Sequence, residues 1–451
     1  MRLFRFTKNG YPRFFNVPPG TPGKSQVAFV ICHYVSCPWY VLVSVPIDFW
    51  GNGPHILEIM VPFSRPTTAE IDLDSLAHNY HEIRSRVHPE AKILAVVKDN
   101  GYGHGAVFIA RELERLGVDL LGTAIADEGI ELRGGGVKTP ILVLSGICEE
   151  EIEKVIEYNL IPMVFDEEMG KRLSNHAKRR NTRVKVHLKF DTGMGRLGVA
   201  VTGAREFIER IKGLPHLLVD GVASHLSMAD EGYTRAQLQA FREVAGLCRE
   251  QGIEPNYWHI SSSAPIIDFP DARFNLVRPG ILLYGCFPGR EYLHRIALKP
   301  VMRLRTVIGF LKTVPPGARI SYGGTYITER ESVIATLPIG YGDGYNRLLS
   351  NRGEVLLRGK RVPVIGRVCM DLTMVDATDV EGASVGDEVV LMGRQGGEEI
   401  TAEEIAEKIG TVSYEILCMV GKRVPRVFTR FGKHVADEVY VRREIGERDS
   451  L

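Results

Sequence analysis

A lysine closes an apolar run, Val96-Val97-Lys98, and a glycine-rich stretch follows it, Gly101-Tyr102-Gly103-His104-Gly105. An amine at the mouth of a buried strand is partly desolvated. Desolvation lowers its pKa and frees it to condense with a carbonyl or to take a proton. A lone strand-end lysine is more commonly a snorkelling charge, so the weight falls on its companions. These are Lys189, Arg196, His225, the run Ser261-Ser262-Ser263, and Arg278-Pro279-Gly280-Ile281. The last two stretches offer hydroxyls and backbone N–H groups of the kind that hold a phosphate dianion.

The elements that must position these residues alternate from Ala91 onward, short β-branched runs with amphipathic stretches of helical spacing. Eight strands are expected, at Lys92–Lys98, Leu120–Ile125, Ile141–Ser145, Ile161–Phe165, Val184–Asp191, Val219–Leu226, Tyr257–Ser261 and Phe274–Arg278. Helices are expected between them, such as Ala106–Leu116, Glu167–Arg179 and Arg235–Glu250. Eight βα repeats of this size match a (β/α)8 barrel, with an open doubly wound sheet as the structural alternative. In a barrel, Lys98, Lys189, Arg196, His225, Ser262, Ser263 and Arg278 fall at or just after the C-terminal strand ends, the face on which such barrels carry their active sites. The loops after strands seven and eight, where phosphate sites recur, are then the serine run and Arg278–Ile281. A lysine and a phosphate cradle on one face suggest pyridoxal phosphate as cofactor.

Past Pro300 the texture changes to strands punctuated by Gly and Pro, at 301–314, 332–338, 354–358, 362–368, 373–375 and 388–392. One helix is expected at Ala402–Ile409, with Thr401 as its N-cap and Glu404 three residues on. The fold class is therefore α/β, a (β/α)8 barrel followed by a mostly β C-terminal domain. The boundaries read as residues 1–64 for an N-terminal extension outside the fold, 65–299 for the barrel, 300–430 for the β domain and 431–451 for a charged tail. Val27 to Ile47 carries no Asp, Glu, Lys or Arg, but Pro38, Pro46 and many β-branched residues make it a poor membrane helix.

Composition excludes several classes. Against 56 Lys and Arg stand 55 Asp and Glu, a net charge of +1 that gives no electrostatic grip on nucleic acid or an anionic membrane. Seven scattered cysteines without C-x-x-C write neither a disulfide framework nor a zinc site, and they fit a reducing cytoplasm. No metal is expected. The pattern Gly193-Met194-Gly195-Arg196-Leu197-Gly198 fits G-x-G-x-x-G, yet Val199–Gly203 delay the helix that a dinucleotide fingerprint opens at once.

At this level of detail the chain closely resembles the alanine racemases. The resemblance is carried by Lys98-Asp99-Asn100-Gly101-Tyr102-Gly103-His104-Gly105, Asp191–Gly198, Ser321-Tyr322-Gly323-Gly324-Thr325-Tyr326, Ile339-Gly340-Tyr341-Gly342-Asp343-Gly344, Cys369-Met370-Asp371 and Arg423-Val424-Pro425-Arg426, spanning Thr67 to Phe428. It implies interconversion of L- and D-alanine by a homodimer with composite sites, and supply of D-alanine for peptidoglycan. Lys98 would carry the cofactor and act as base on the D-alanine side; Tyr322, from a second subunit, would serve the L-alanine side. Tyr102, Ser263, Gly280, Ile281 and Tyr414 match phosphate-holding positions, with Ser262 beside them. Arg278 matches the arginine facing the pyridine nitrogen, and His225 the histidine linked to it. Arg196 would contact the cofactor's phenolic oxygen and the substrate carboxylate; Lys189 matches a lysine carbamylated in many relatives; Met370 would offer its N–H to that carboxylate across the subunit boundary. Asp99 and Gly101 stand where the family more often has alanine, and Ser262 where it usually has asparagine. The rival readings are a racemase of broader specificity, a decarboxylase, which would need an acid where Arg278 stands, and a pyridoxal-phosphate-binding homeostasis protein, which would lack the β domain.

Overall fold

The structure is a computed structural model and describes residues 65–438 apart from residue 294. The expected extension 1–64, its charge-free run and the tail beyond 438 lie outside the described residues. The chain enters through β1 (Thr68–Asp72) and then alternates strands and helices through β2 (Lys92–Val96), β3 (Leu120–Thr123), β4 (Ile141–Val143), β5 (Leu160–Val164), β6 (Val184–Asp191), β7 (Leu217–Ala223), β8 (Tyr257–His259) and β9 (Leu276–Val277). Strands β2 to β9 pair in parallel in the order β8-β7-β6-β5-β4-β3-β2-β9, so the last strand returns to the first and the sheet curls into a nearly closed barrel. The seam between β8 and β9 is bridged by the Arg278 N–H donating to the Ser261 carbonyl at 3.0 Å and the Trp258 N–H donating to Asn275 Oδ1 at 2.7 Å.

Strand composition explains the barrel. Ile141, Leu142 and Val143 are all fully buried, as in a parallel sheet covered on both faces. Two of the helices between strands begin at side-chain caps: Asp166 Oδ1 accepts from the Met169 N–H at 2.7 Å and Asp230 Oδ1 from the Tyr233 N–H at 2.8 Å. Among the described residues no helix is long and apolar enough to cross a membrane.

The second layer is β. Strands β10 (Met302–Val307), β11 (Phe310–Val314), β12 (Ser332–Leu337), β13 (Glu354–Leu357), β14 (Lys360–Pro363), β15 (Thr373–Asp376), β16 (Glu388–Gln395), β17 (Arg426–Arg430) and β18 (Lys433–Glu438) form a main sheet ordered β14-β13-β16-β10-β1-β17-β18 and a smaller one ordered β11-β12-β15. The helix at Ala402–Ile409 forms as expected, with Thr401 Oγ1 accepting from the Glu404 N–H at 3.1 Å.

Four features differ from the sequence reading. The single strand expected at 301–314 is two, because the chain crosses between sheets at Ile308 and Gly309, whose N–H groups turn to the Asp387 and Thr336 carbonyls. The strand expected at 362–368 is Lys360–Pro363, and the chain leaves the ladder before Gly366, which has a φ of 69°. The main sheet continues past residue 430, because Phe431 and Gly432, both at positive φ, make a tight turn into β18. And β1, which precedes the barrel in sequence, lies in the β domain's sheet, antiparallel to β10 and parallel to β17.

Candidate active site

A cavity of about 410 Å³ opens at the C-terminal ends of the barrel strands. It is lined by Lys98, Tyr102, Lys189, Arg196, His225, Ser262, Ser263, Arg278, Gly280, Ile281 and Tyr414, together with Val96, Leu144, Ser145, Met163, Met194 and Leu197. Every residue that the sequence places around the cofactor is therefore in one wall or another. Tyr322 and Met370 are not.

Lys98 follows β2 and starts a turn of unusual hand. Asp99, Asn100, Gly101 and Tyr102 all have φ between 50° and 62°, and Gly103 follows at 79°. Left-handed backbone costs roughly 1–2 kcal/mol per non-glycine residue, so the turn persists only because its neighbours hold it. The Gly101 N–H donates to the Val97 carbonyl (2.9 Å), the Gly103 N–H to that of Asp99 (2.9 Å) and the Gly105 N–H to that of Asn100 (2.9 Å). Asn100 Oδ1 accepts from the Ala106 N–H at 2.9 Å, and Glu128 from the Asp99 N–H at 2.6 Å. The Asp99 carboxylate engages the Cys418 thiol and pushes that thiol's pKa up, after burial. Gly103 is obligatory on a second ground: a Cβ there would stand 2.3 Å from the Leu417 carbonyl oxygen.

A second group of lining residues is neutral and rich in donors. Ser263 Oγ accepts from the Gly280 N–H at 3.0 Å, and Ile281 opens a short 3-10 helix. A Cβ on Gly280 would lie 2.5 Å from the Tyr102 hydroxyl, so only glycine lets the phenol approach. Tyr414 comes from the helix Ser413–Cys418 of the β domain, its ring 6.1 Å from that of Tyr102. Burial pushes both phenols' pKa values up, so both hydroxyls keep their protons.

The side wall is cationic. Four basic side chains, Lys98, Lys189, Arg196 and Arg278, line the cavity, and no carboxylate is among its lining residues. Lys189 points inward from β6 with only 8% of its surface exposed. Burial first, then Arg278 and Arg196, pull its pKa well below the usual lysine value. Arg196 sits on a loop pinned by Asp191, whose Oδ1 accepts from the Gly193, Met194 and Gly195 N–H groups at 2.9, 2.8 and 3.1 Å.

Arg278 organises the floor. It donates to the Ser224 and Ile260 carbonyls (2.9 and 3.1 Å), to His225 Nδ1 (3.1 Å) and to His259 Nδ1 (2.8 Å). A guanidinium only donates, so Nδ1 of both histidines must accept and their Nε2 atoms carry the protons. His259 Nε2 then donates to His187 Nδ1 at 2.8 Å, which leaves His187 Nε2–H a buried donor without a hydrogen-bond acceptor. Burial, and next the charge of Arg278, hold His225 and His259 well below the ordinary histidine pKa. Burial also draws Arg278 down to about 9, so it still carries its proton at neutral pH.

Neither His259 nor His187 is among the site residues expected from the sequence. The signal was there: His187 and Lys189 are two apart on one strand and so share its inward face. Tyr322 and Met370 occupy adjoining loops of the β domain, 71% and 53% exposed. The two loops are tied by Ser321 Oγ donating to the Arg367 carbonyl at 2.7 Å. Arg423 braces the second, donating to Asp343 at 3.0 Å and Asp371 at 2.7 Å.

Comparison with known proteins covers the same region. The model of the alanine racemase N-terminal domain matches residues 71–288 and that of the alanine racemase C-terminal domain residues 301–428. The alanine racemase of Halothermothrix orenii is 45% identical over 368 residues, which is 81% of this chain and 97% of that protein. The crystal structure of the Bacillus anthracis alanine racemase with bound L-Ala-P superposes with a TM-score of 0.80 at 37% identity, over 84% of this chain and 99% of that one. The alanine racemase of Bartonella henselae, with covalently bound pyridoxal phosphate, superposes with a TM-score of 0.73 at 29% identity, over 81% and 99%.

Proposed function

This chain belongs to the alanine racemase family of isomerases, and we propose that it interconverts L- and D-alanine on pyridoxal phosphate with two bases, Lys98 and the Tyr322 of a second copy. One observation carries the reading: a single cavity joins the Lys98 amine, three further basic side chains without a carboxylate in the lining, and a set of hydroxyls and N–H groups. That donor set fits an anionic, carbonyl-bearing ring compound and leaves a neutral occupant poorly served.

Ser263, Gly280, Ile281, Tyr102 and Tyr414 would hold the phosphate, with Ser262 at its edge. Lys98 would hold the aldehyde carbon, and Arg278, oriented by His225 and His259, would face the ring nitrogen. When bound, pyridoxal phosphate supplies an electron-accepting ring that acidifies the α-proton of an amino acid. Protonated at neutral pH, Arg278 disfavours a second positive charge on the ring nitrogen. That limits electron withdrawal and so disfavours side reactions.

Racemisation takes a proton from one face of the α-carbon and returns one to the other, so two acid–base groups must flank it. The Lys98 amine moves the proton on the D-alanine side. The phenol on the L-alanine side comes from a second molecule, a reading supported by the exposure of Tyr322 outside its own chain's cavity. Met370, on the adjoining loop, brings its N–H to the substrate carboxylate beside Arg196. An isologous homodimer makes the exchange reciprocal.

Lys189, whose pKa burial and two arginines draw well below the usual lysine value, has an amine that gives up its proton more readily and so can act as a nucleophile toward carbon dioxide. Addition of the amine to CO2 with loss of one proton gives a carbamate, an anion placed to orient Arg196. Five described cysteines, Cys148, Cys248, Cys286, Cys369 and Cys418, are free thiols, as in a protein of a reducing cytoplasm, where the D-alanine formed would supply peptidoglycan. The test gives the purified full chain, loaded with pyridoxal phosphate, either enantiomer in deuterated water and follows α-proton exchange together with optical rotation. Both enantiomers should converge on the racemate. Exchange without inversion from both would overturn the two-base assignment.

A further inference from the structure

The motif Arg423-Val424-Pro425-Arg426 ends in a side chain that the reaction described above does not use. Arg426 is fully buried. Its guanidinium donates Nε–H to the Gly103 carbonyl at 2.8 Å, Nη1–H to the Gly421 and Val424 carbonyls at 2.7 Å each, and Nη2–H to that of Val420. Gly103 closes the left-handed turn that begins after Lys98 and contains Tyr102. The carbonyls from Val420 to Val424 follow the helix Ser413–Cys418, which presents Tyr414. One guanidinium thus spans the barrel and the β domain at the point where both feed side chains into the cavity.

A second restraint acts on the same turn from within the barrel. His104 is fully buried, and its Nδ1–H donates to the Gly101 and Tyr102 carbonyls at 3.0 and 2.8 Å. Its ring rests 4.6 Å from that of Tyr284, whose hydroxyl donates to the Val96 carbonyl at 3.0 Å. Between them Arg426 and His104 engage the carbonyls of Gly101, Tyr102 and Gly103, three successive residues at positive φ. Released, Asp99, Asn100 and Tyr102 would relax toward the right-handed region that L-residues favour. That relaxation would swing Lys98 and Tyr102 away from the cavity.

We propose that Arg426 is a positioning residue for the reaction: by holding the Gly103 carbonyl it keeps the turn left-handed and so fixes where the Lys98 amine and the Tyr102 hydroxyl enter the cavity. The proposal rests on the reading of Lys98 as the catalytic amine. An arginine suits the task because its fork of donors reaches separate carbonyls at once and its charge does not depend on pH in the working range. A lysine there offers one compact ammonium that cannot span both sets.

The experiment compares the full-length wild type with Arg426→Lys, with His104→Leu, and with His104→Asn, which restores a donor near the Nδ1 position. Without cofactor, Arg426→Lys should speed amide exchange across residues 99–105 by about tenfold or more while exchange in β7 stays unchanged. Loaded with pyridoxal phosphate, it should lose about tenfold or more in kcat with the alanine KM within about twofold. His104→Leu should reproduce the kcat loss and His104→Asn should recover part of it. Unchanged exchange at 99–105, or a rise spread evenly over the chain, overturns the proposal. So does wild-type kcat in Arg426→Lys. If Arg426→Lys does not fold, wild-type kcat in His104→Leu decides against it. Absence of racemisation in the wild type would instead overturn the functional reading, and the exchange pattern of the apoprotein distinguishes the two failures.

Discussion

Replacing Tyr322 by phenylalanine removes one oxygen atom from a side chain that is 71% exposed and stands outside the lining of the cavity that holds Lys98. A surface change of that kind alters stability by less than about 0.5 kcal/mol, so a large loss of rate cannot be blamed on folding. Loss of a positioned general base costs roughly 10²–10⁴-fold, or about 3–5 kcal/mol of barrier. Racemisation in both directions must fall by the same factor, because the enantiomers have equal free energies. The two half-reactions part company, however. In deuterated water Tyr322→Phe should still exchange the α-proton of D-alanine through Lys98 at close to the wild-type rate, while exchange from L-alanine falls by the full factor. Proton NMR of the α-position, read beside polarimetry, separates them. Mixing Tyr322→Phe chains with Lys98→Ala chains adds a geometric check. A mixed dimer with crossed sites carries one intact and one doubly damaged site, so random pairing of equal amounts should return about a quarter of the wild-type rate. Rapid L-alanine exchange in Tyr322→Phe, loss of D-alanine exchange along with it, or no recovery on mixing would each refute the shared-site reasoning.

Three further outcomes are expected. Lys189→Met should raise the melting temperature of the apoprotein at neutral pH in carbonate-free buffer: the depressed lysine pKa means the unfolded chain binds the extra proton, so native stability is lost as pH falls from about 10.5 through the folded value. The gain should vanish near pH 10.5, and a variant no more stable than wild type at pH 7 would contradict the burial argument. His104 and His187, both drawn by burial to about 3 from about 6.5, give the opposite end of the profile. The stability they contribute is complete above about 6.5 and declines toward about 3, at up to ~1.4 kcal/mol per pH unit each, which urea titrations at pH 7, 6 and 5 will show or deny. Gly280→Ala should weaken pyridoxal phosphate binding about tenfold, or ~1.4 kcal/mol, because its Cβ would meet the Tyr102 hydroxyl at 2.5 Å. Adding Tyr102→Phe should return part of that loss, and strict additivity of the two changes would argue against the contact.

What could be read from the sequence follows what local rules encode. Strand periodicity and the strand-end rule of barrels were enough to gather Lys98, Lys189, His225, Ser263 and Arg278 on one face, and the cavity lies there. Tyr414 was reachable only by resemblance, since the short helix that presents it has no periodicity to speak of. The left-handed turn was not legible. Asp99 and Asn100 announce a turn, but one of the carbonyls that close it, that of Gly103, is held from more than 300 residues away, by Arg426. Nor was the place of β1, whose partner β17 lies more than 350 residues on. The motif ending at Arg426 could be read from the sequence as part of the resemblance, but not that this arginine is fully enclosed.

The cavity itself crowds basic groups together. Four basic side chains face one space of about 410 Å³ without a carboxylate in its lining. Their mutual repulsion appears as the depressed pKa values of Lys189 and Arg278, to which neighbouring cations contribute after burial. Such a site is unfavourable when nothing anionic fills it, and it stays open only if its walls are held by interactions that do not relax with it. The buried guanidinium of Arg426, the histidine line from Arg278 through His259 to His187, and Asp191 under the Arg196 loop are restraints of that kind. An anionic ligand, a substrate carboxylate and a carbamate on Lys189 would each lower the repulsion felt by the others. Binding of any one should therefore favour the rest, and the rigidity outside the cavity is what lets the polypeptide keep the site assembled before they arrive.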